Sequence, residues 1–301
     1  MRFATFLAPG SPVERVGLVD EDRLFTLPPG TTLLQLLDDL ARAGRAARRS
    51  PDDVFDPGDV RLLAPLPVPP SVRDFYAFEA HVRTARATRG LGVDPDWYEL
   101  PVFYFTNPAA VIGPDADIAV PPGCAELDYE LEVAAVVGRP GSDLDPADAE
   151  AHIAGYTVMN DWSARDLQRR EMRLGLGPAK GKDFATSLGP VLVTPDELEP
   201  YRHAKAHDLV MTASVNGTEW SRGRLADIHW SFGEMLAHAS RGTVLRPGDV
   251  IGSGTCGTGC ILELSAVHGS AAYPWLRPGD RVELEVEVLG TLANTVVAGR
   301  P

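Results

Sequence analysis

The sequence predicts an α+β, β-rich fold, with a small N-terminal α+β unit over residues 1–68 and a larger catalytic unit over 69–301. Three observations carry this reading. Strand-like alternation recurs in the second unit, as over 281–289, where Val282, Leu284, Val286 and Val288 alternate with Glu283, Glu285 and Glu287. Long helices do not alternate with apolar strands, so a doubly wound sheet is excluded. Pro65, Pro67, Pro69 and Pro70 form a stiff link that separates the units.

Each element follows from local pattern. Residues 2–7 alternate weakly, 15–19 and 23–27 suggest a hairpin, and 31–47 carries Leu33, Leu34, Leu36, Leu37, Leu40 and Ala41 at helical spacing behind a Thr31 or Thr32 cap. After the prolines, 71–89 is a compact polar-aromatic stretch holding Asp74-Phe75-Tyr76 and His81, and 101–105 predicts a strand. Asp145 before Pro146 starts a short helix. Residues 155–159 predict a strand and 163–171 a short helix. Asn216-Gly217 between two strand-like runs predicts a hairpin with a type I′ turn. A helix is expected over 228–240. Two Leu-Arg-Pro-Gly-Asp turns, at 245–249 and 276–280, each lead into a strand.

The composition, 44% hydrophobic and 23% charged over 301 residues, is that of a globular protein able to bury a large core. A formal charge of -14 excludes the basic face of a nucleic-acid binder. It leaves room for a small anionic substrate at a local cationic cluster. Three cysteines imply no disulfide framework. Cys256 and Cys260 have no second Cys/His pair nearby in sequence, so they are expected as small residues in a Gly-rich turn and strand, not as a zinc site. No apolar run approaches the ~20 residues of a membrane helix. The first residues lack the apolar core of a signal peptide. The expectation is a cytoplasmic protein that engages neither membrane nor nucleic acid.

The chemistry centres on Leu127-Asp128-Tyr129-Glu130-Leu131-Glu132-Val133. On a strand, Glu130 and Glu132 share a face ~7 Å apart. The apolar run 134–137 that follows makes this an interior strand. Two buried carboxylates repel and lose hydration, and a divalent cation compensates both. Asp161 offers a third carboxylate. With no histidine or cysteine close in sequence, the set suits Mg²⁺, Ca²⁺ or Mn²⁺. Asp128 has the same strand parity and could replace one member. The competing reading is a solvated Glu-x-Glu face, as expected for Glu283, Glu285 and Glu287.

Three motifs occur in order: 127–132, then 155–168 (Gly-Tyr-Thr-Val-Met-Asn-Asp-Trp-Ser-Ala-Arg-Asp-Leu-Gln), then Gly181-Lys182-Asp183-Phe184. Together they resemble the fumarylacetoacetate hydrolase family over roughly residues 70–290. Asp74-Phe75-Tyr76, with His81 five residues after the tyrosine, is similar to the fumarylacetoacetase branch. The Asn-Tyr-x-x-His pattern of the acylpyruvase and oxaloacetate-decarboxylase branch is missing. The resemblance implies a mixed β-sheet roll around a metal site and a homodimer. It implies divalent-metal-dependent hydrolysis of a C–C bond in a β-diketo acid of the fumarylacetoacetate or acylpyruvate type. Asp74, Glu130, Glu132 and Asp161 would hold the cation, Mg²⁺ or Ca²⁺, with Mn²⁺ also suitable. His81 would be the general base and Glu263 the acid that orients it. Lys182, together with Gln168, would donate to the oxyanion. Tyr76, Arg89, Tyr104, Gln168 and Thr255 would contact substrate.

These roles make chemical sense. Water needs a base near neutral pH, and imidazole suits that task. A leaving enolate needs an electron sink, which a cation supplies. Arg165 and Asp166 are expected as an ion pair supporting Asp161, and Lys180 competes with Lys182 for its role. A 2-oxo-acid decarboxylase or a hydroxy-diene-dioate isomerase would share the enolate chemistry without activated water. A non-hydrolytic biosynthetic enzyme or a ligand-binding protein on the same fold is the remaining alternative. Residues 253–259 lack the Gly-Lys-Ser/Thr of a phosphate loop, so nucleotide binding is not expected.

Overall fold

The computed structural model describes residues 1–299. It begins with strands β1 (Arg2–Leu7), β2 (Glu14–Asp20) and β3 (Arg23–Thr26) and helix α1 (Leu40–Arg49). The single helix expected over 31–47 is interrupted. Leu33–Leu36 makes a 3-10 turn behind Thr32, and α1 restarts because Asp39 accepts from the Arg42 amide as a new N-cap. Strand β4 (Val72–Phe75), helix α2 (Glu79–Ala87) and strand β5 (Phe103–Thr106) follow.

Next come β6 (Leu127–Asp128), β7 (Leu131–Val137), β8 (Ile153–Asp161), α3 (Arg165–Met172) and β9 (Thr186–Val193). The hairpin β10 (Val210–Val215) and β11 (Thr218–Arg224) turns through Asn216 and Gly217, both at positive φ, as a type I′ turn requires. Helix α4 (Phe232–Ser240), strand β12 (Val250–Gly252), helix α5 (Ile261–His268) and strands β13 (Arg281–Val286) and β14 (Gly290–Val297) complete the chain.

Strands in the order β3-β2-β1-β9-β8-β7-β12-β4-β5 run through a 12-stranded sheet. A five-stranded sheet contains β11-β10-β13-β14 and ends on Asp117–Ala119. Strand β1 pairs with β9, Arg2 opposite Val193, so the N-terminal hairpin and the segments beyond residue 68 share one sheet.

The period of 2 in β7 explains the layering. Val133, Ala135 and Val137 enter one core cluster with Met211, Ala213, Leu284 and Leu292 of the five-stranded sheet and Leu236 of α4. Ala134 and Val136 enter a second cluster with Leu33, Leu37, Leu40 and Ala43 from the N-terminal segment. Both faces of β7 are therefore covered, which accounts for its unbroken apolar run. Strand β8 divides the same way, with Val158 in the first cluster and Met159 in the second. Among the described residues, no helix is long and apolar enough to cross a membrane.

Candidate active site

Strand parity brings the acids together. Asp74 follows Val72 on β4, Asp161 follows Met159 on β8, and Glu132 precedes Ala134 on β7. Val72, Met159 and Ala134 all belong to the second core cluster, so these three carboxylates extend the same face of the sheet. Between β7 and β4 lies β12, where Gly252 sits opposite both Ala134 and Asp74. A Cβ on Gly252 would press into Asp74 Oδ1 and the Met159 thioether.

Glu130 arrives differently. The strand expected over 127–133 breaks, leaving Tyr129 and Glu130 unpaired between β6 and β7. The Glu130 amide donates instead to Asn160 Oδ1 at 2.9 Å. One oxygen from each of Asp74, Glu130, Glu132 and Asp161 lies within 4.8 Å of the others, and all four residues are buried.

The electrostatics follow from that crowding. Burial first, then repulsion from Asp161, holds the Asp74 carboxyl well above the usual range; burial and Asp74 do the same for Glu132. The Asp161 carboxyl is raised by burial although Lys182 opposes this. Glu130 goes the other way: burial disfavours its charge, but Lys182 and Arg165 hold it ionised well below the usual range. Lys182 Nζ donates to Glu130 and, at 2.5 Å, to Asp161, and the Tyr104 hydroxyl donates to Asp161 as well.

Two oxygens in this set, Glu132 Oε2 and Asp161 Oδ1, are buried without a hydrogen-bond partner among the described residues. Among the described residues, the four carboxylates are paired with two buried cations, Lys182 and Arg165. Orphaned carboxyl oxygens, an all-oxygen donor set and the space left by Gly252 fit a hard divalent cation, which would favour the ionised form of each acid.

The second constellation is a dyad. His81 on α2 places Nδ1 at 2.8 Å from Glu263 Oε2 on α5, both nearly sealed from solvent. A carboxylate there accepts from Nδ1–H and leaves Nε2 as the basic nitrogen. Residues 261–265 form part of a helix, not the strand expected around Cys260. Asp128 starts that helix. Its oxygens accept from the Ile261 and Leu262 amides at 2.7 and 3.0 Å and from Arg165 Nε at 2.8 Å. Asp128 is therefore a helix cap, outside the acid cluster it was considered for.

A cavity of about 480 Å³ joins the two constellations. Asp74, Tyr76, His81, Arg89, Tyr104, Glu130, Glu132, Gln168, Lys182 and Thr255 all line it, so nearly all the residues singled out in the sequence meet in one place. The Tyr76 ring stands edge-on to His81 at 5.3 Å, and burial pushes its hydroxyl up to about 12. Thr255 Oγ1 lies 3.4 Å from Glu132 Oε1. Lys180 is exposed and pairs with Asp183, which leaves Lys182 as the lysine of the site.

Asp166 is a correction. It accepts from the Ala125 amide and does not pair with Arg165, whose guanidinium is taken by Asp128 and Glu130. Neighbouring residues on a helix diverge, so the expected pair could not form.

Residues 71–297 match the family described as fumarylacetoacetate (FAA) hydrolase, C-terminal. The chain belongs to the fumarylacetoacetate hydrolase family.

Relatives within this family carry different activities. The chain is 33% identical over 283 residues to the fumarylacetoacetase of Oryza sativa subsp. japonica, covering 75% of this chain and 65% of that one. It is 31% identical over 247 residues to an oxaloacetate tautomerase of Bacillus subtilis, covering 81% and 75% respectively. A solved 5-carboxymethyl-2-hydroxymuconate delta-isomerase from Mycobacterium smegmatis superposes with a TM-score of 0.70 at 29% identity, covering 99% of this chain and 100% of that one. The match thus spans just under two thirds of the rice relative's length. The mixed, strand-rich architecture of the family is the fold expected from the sequence.

Contributors that went unread in the sequence include Gly252, the capping role of Asp128, and the cavity-lining residues Val102, Arg169 and Met172. Gly252 had a signal, because a glycine ending an apolar strand marks a close approach. Gly254 makes a close approach as well, since a Cβ there would collide with the Phe75 carbonyl.

Proposed function

We propose that this chain is a divalent-metal-dependent hydrolase that cleaves the C–C bond of a β-diketo acid of the fumarylacetoacetate or acylpyruvate type. The observation that carries the reading is the His81–Glu263 dyad, set at 2.8 Å beside the same cavity as the four-carboxylate cluster. A cation held by Asp74, Glu130, Glu132 and Asp161, Mg²⁺ or Ca²⁺ by donor type, would act as a Lewis acid toward the two oxygens of a 1,3-dioxo substrate.

The chain's own residues then do the following. His81 Nε2 takes a proton from water, and Glu263 stabilises the imidazolium that forms. The hydroxide adds to one carbonyl. Lys182, lining the cavity beside Glu130, supplies positive charge for the resulting oxyanion. Collapse breaks the C–C bond, and the leaving carbon departs as an enolate that His81 can reprotonate. Arg89 and Tyr76 offer charge-assisted and neutral donors to a substrate carboxylate. The homodimer implied by the family resemblance is part of this proposal.

One other reading has specific support, the Bacillus subtilis tautomerase aligned with 81% of this chain. Moving a proton between carbon and oxygen needs His81 but no attacking water. Turnover in ¹⁸O-labelled water separates the two. Hydrolysis of fumarylacetoacetate or an acylpyruvate places label in the released acid and stops in a chelator. Rapid tautomerisation of oxaloacetate with no labelled acid from any diketo acid would falsify the hydrolase reading.

A further inference from the structure

Behind His81 lies a donor set of different character. One atom from each of His81, Cys260 and Glu263 lies within 4.8 Å of the other two. Cys260 occupies the N-cap position of α5, yet its side chain makes no capping bond. Its thiol instead lies 3.6 Å from Glu263 Oε2, the same oxygen that faces His81 Nδ1. The three-residue step from 260 to 263 is one helical turn, so thiol and carboxylate share a side. All three residues are sealed from bulk solvent except through His81, which lines the cavity.

We propose that His81, Cys260 and Glu263 form a second cation site, selective for a soft or borderline divalent ion such as Zn²⁺ or Cd²⁺. Imidazole, thiolate and carboxylate are the three ligand types that tetrahedral zinc accepts, with water as the fourth. Tetrahedral coordination separates such donors by roughly 3.3–3.6 Å. The present spacings bracket that range, so modest side-chain rotation suffices. The set differs in kind from the four carboxylates. Hard Mg²⁺ and Ca²⁺ prefer those oxygens, whereas nitrogen and sulfur favour the later ions.

Binding is a simple exchange. The Cys260 thiol loses its proton to solvent, the thiolate and neutral imidazole each donate a pair, and no electron changes hands. The ion reaches the site through the substrate cavity. Once there it occupies the dyad, so it blocks turnover even when the carboxylate cluster is filled with Mg²⁺. That last consequence rests on the hydrolase reading; the binding does not.

The test separates the two. The full chain, saturated with Mg²⁺, is titrated with CdCl₂ while the ultraviolet thiolate-to-cadmium charge-transfer band is followed. One equivalent is expected to produce the band. Cys260→Ser should abolish it, Cys124→Ser and Cys256→Ser should preserve it, and added Zn²⁺ should compete it away. Near-ultraviolet circular dichroism of Cys260→Ser confirms its fold, and Cys260→Ala provides a second variant. Under turnover, Cys260→Ser should need at least about tenfold more Zn²⁺ for half-inhibition, as loss of one of three protein ligands implies. A band that survives in Cys260→Ser, follows Cys124, or never forms overturns the site. A normal cadmium band with no Zn²⁺ inhibition leaves the site standing and counts against the dyad's role in hydrolysis.

Discussion

Arg165 Nε donates to Asp128 Oδ2 at 2.8 Å in the protein interior, while Nη2 of the same guanidinium reaches Glu130 at 2.7 Å. Asp128 also holds the first amides of α5, the helix that presents Glu263. One side chain thus ties the dyad's helix to the acid cluster. Asp128→Ala should loosen α5 and misplace Glu263. We expect a kcat about 10–100-fold lower, a cation affinity changed far less, and a stability loss of about 1–2 kcal/mol from the missing cap. Steady-state kinetics with urea denaturation check this. Arg165→Lys should not rescue, because an ammonium cannot bind both acids in a fork.

Removing the dyad itself should cost more. His81→Ala and Glu263→Gln are expected to lower kcat on a diketo acid by about 10²–10⁴-fold, the range for general-base catalysis. Cation binding, read by calorimetry, should persist in both. Loss of cation binding in His81→Ala would show that His81 belongs to the acid cluster.

Gly252 gives a sharper test of the cluster. Its replacement by Ala adds one methyl where Asp74 Oδ1 and the Met159 thioether already stand. Gly252→Ala should weaken the cation by at least about tenfold, through displacement of Asp74, with only about 1–3 kcal/mol lost in folding. Calorimetric titration with Mg²⁺ measures the first and thermal unfolding in a chelator the second.

Glu132 carries a predicted conflict between stability and function. Its carboxyl is buried, pressed by Asp74 and Glu130, and has an oxygen without a partner. In a chelator, Glu132→Gln removes an acid whose ionisation burial, Asp74 and Glu130 all oppose. The variant should unfold at a higher temperature than the parent in excess chelator, by several degrees for about 1–2 kcal/mol. The order should reverse in saturating Mg²⁺.

His207 should set part of the acid limit. It is buried, its Nε2 has no partner among the described residues, and burial aided by the Arg202 cation pulls its pKa down to about 4 from 6.5. The unfolded chain then takes a proton that the folded chain refuses between about pH 6.5 and 4. Stability from this residue is complete above pH 6.5 and falls as pH drops through that window. After allowance for screening, the loss is about 2 kcal/mol. Urea midpoints for the parent and His207→Gln should converge as pH falls from 7.5 to 5; unchanged separation would refute this role.

The parts legible in the sequence were those fixed by local geometry. The Asn216-Gly217 turn and the Asp145 cap follow from neighbours alone. The unread parts depend on distant chain. Residues 261–265 alternate poorly and are apolar enough to suit either strand or helix, and a short apolar run does not decide between them. Asp128 decides it from afar, so its capping role was hidden along with the helix. The break at Tyr129 likewise rests on tertiary partners, Ser221 for its hydroxyl and Asn160 for the next amide. The Leu33–Leu36 turn separated from α1 because an Asp39 cap outcompeted continuous helical periodicity.

The four acids are drawn from β4, the 129–130 break, β7 and β8, stretches that meet only when the sheet has assembled. An unfolded chain therefore presents scattered carboxylates with no chelating geometry. A cation bound there is a ligand of the native state alone, and each tenfold rise in its free concentration above Kd adds about 1.4 kcal/mol to the unfolding free energy. Under the proposed cation binding, the ambient ion level would then act as a thermostat on the lifetime of the folded molecule, raising the cost of unfolding when the ion is plentiful and lowering it when the ion is scarce.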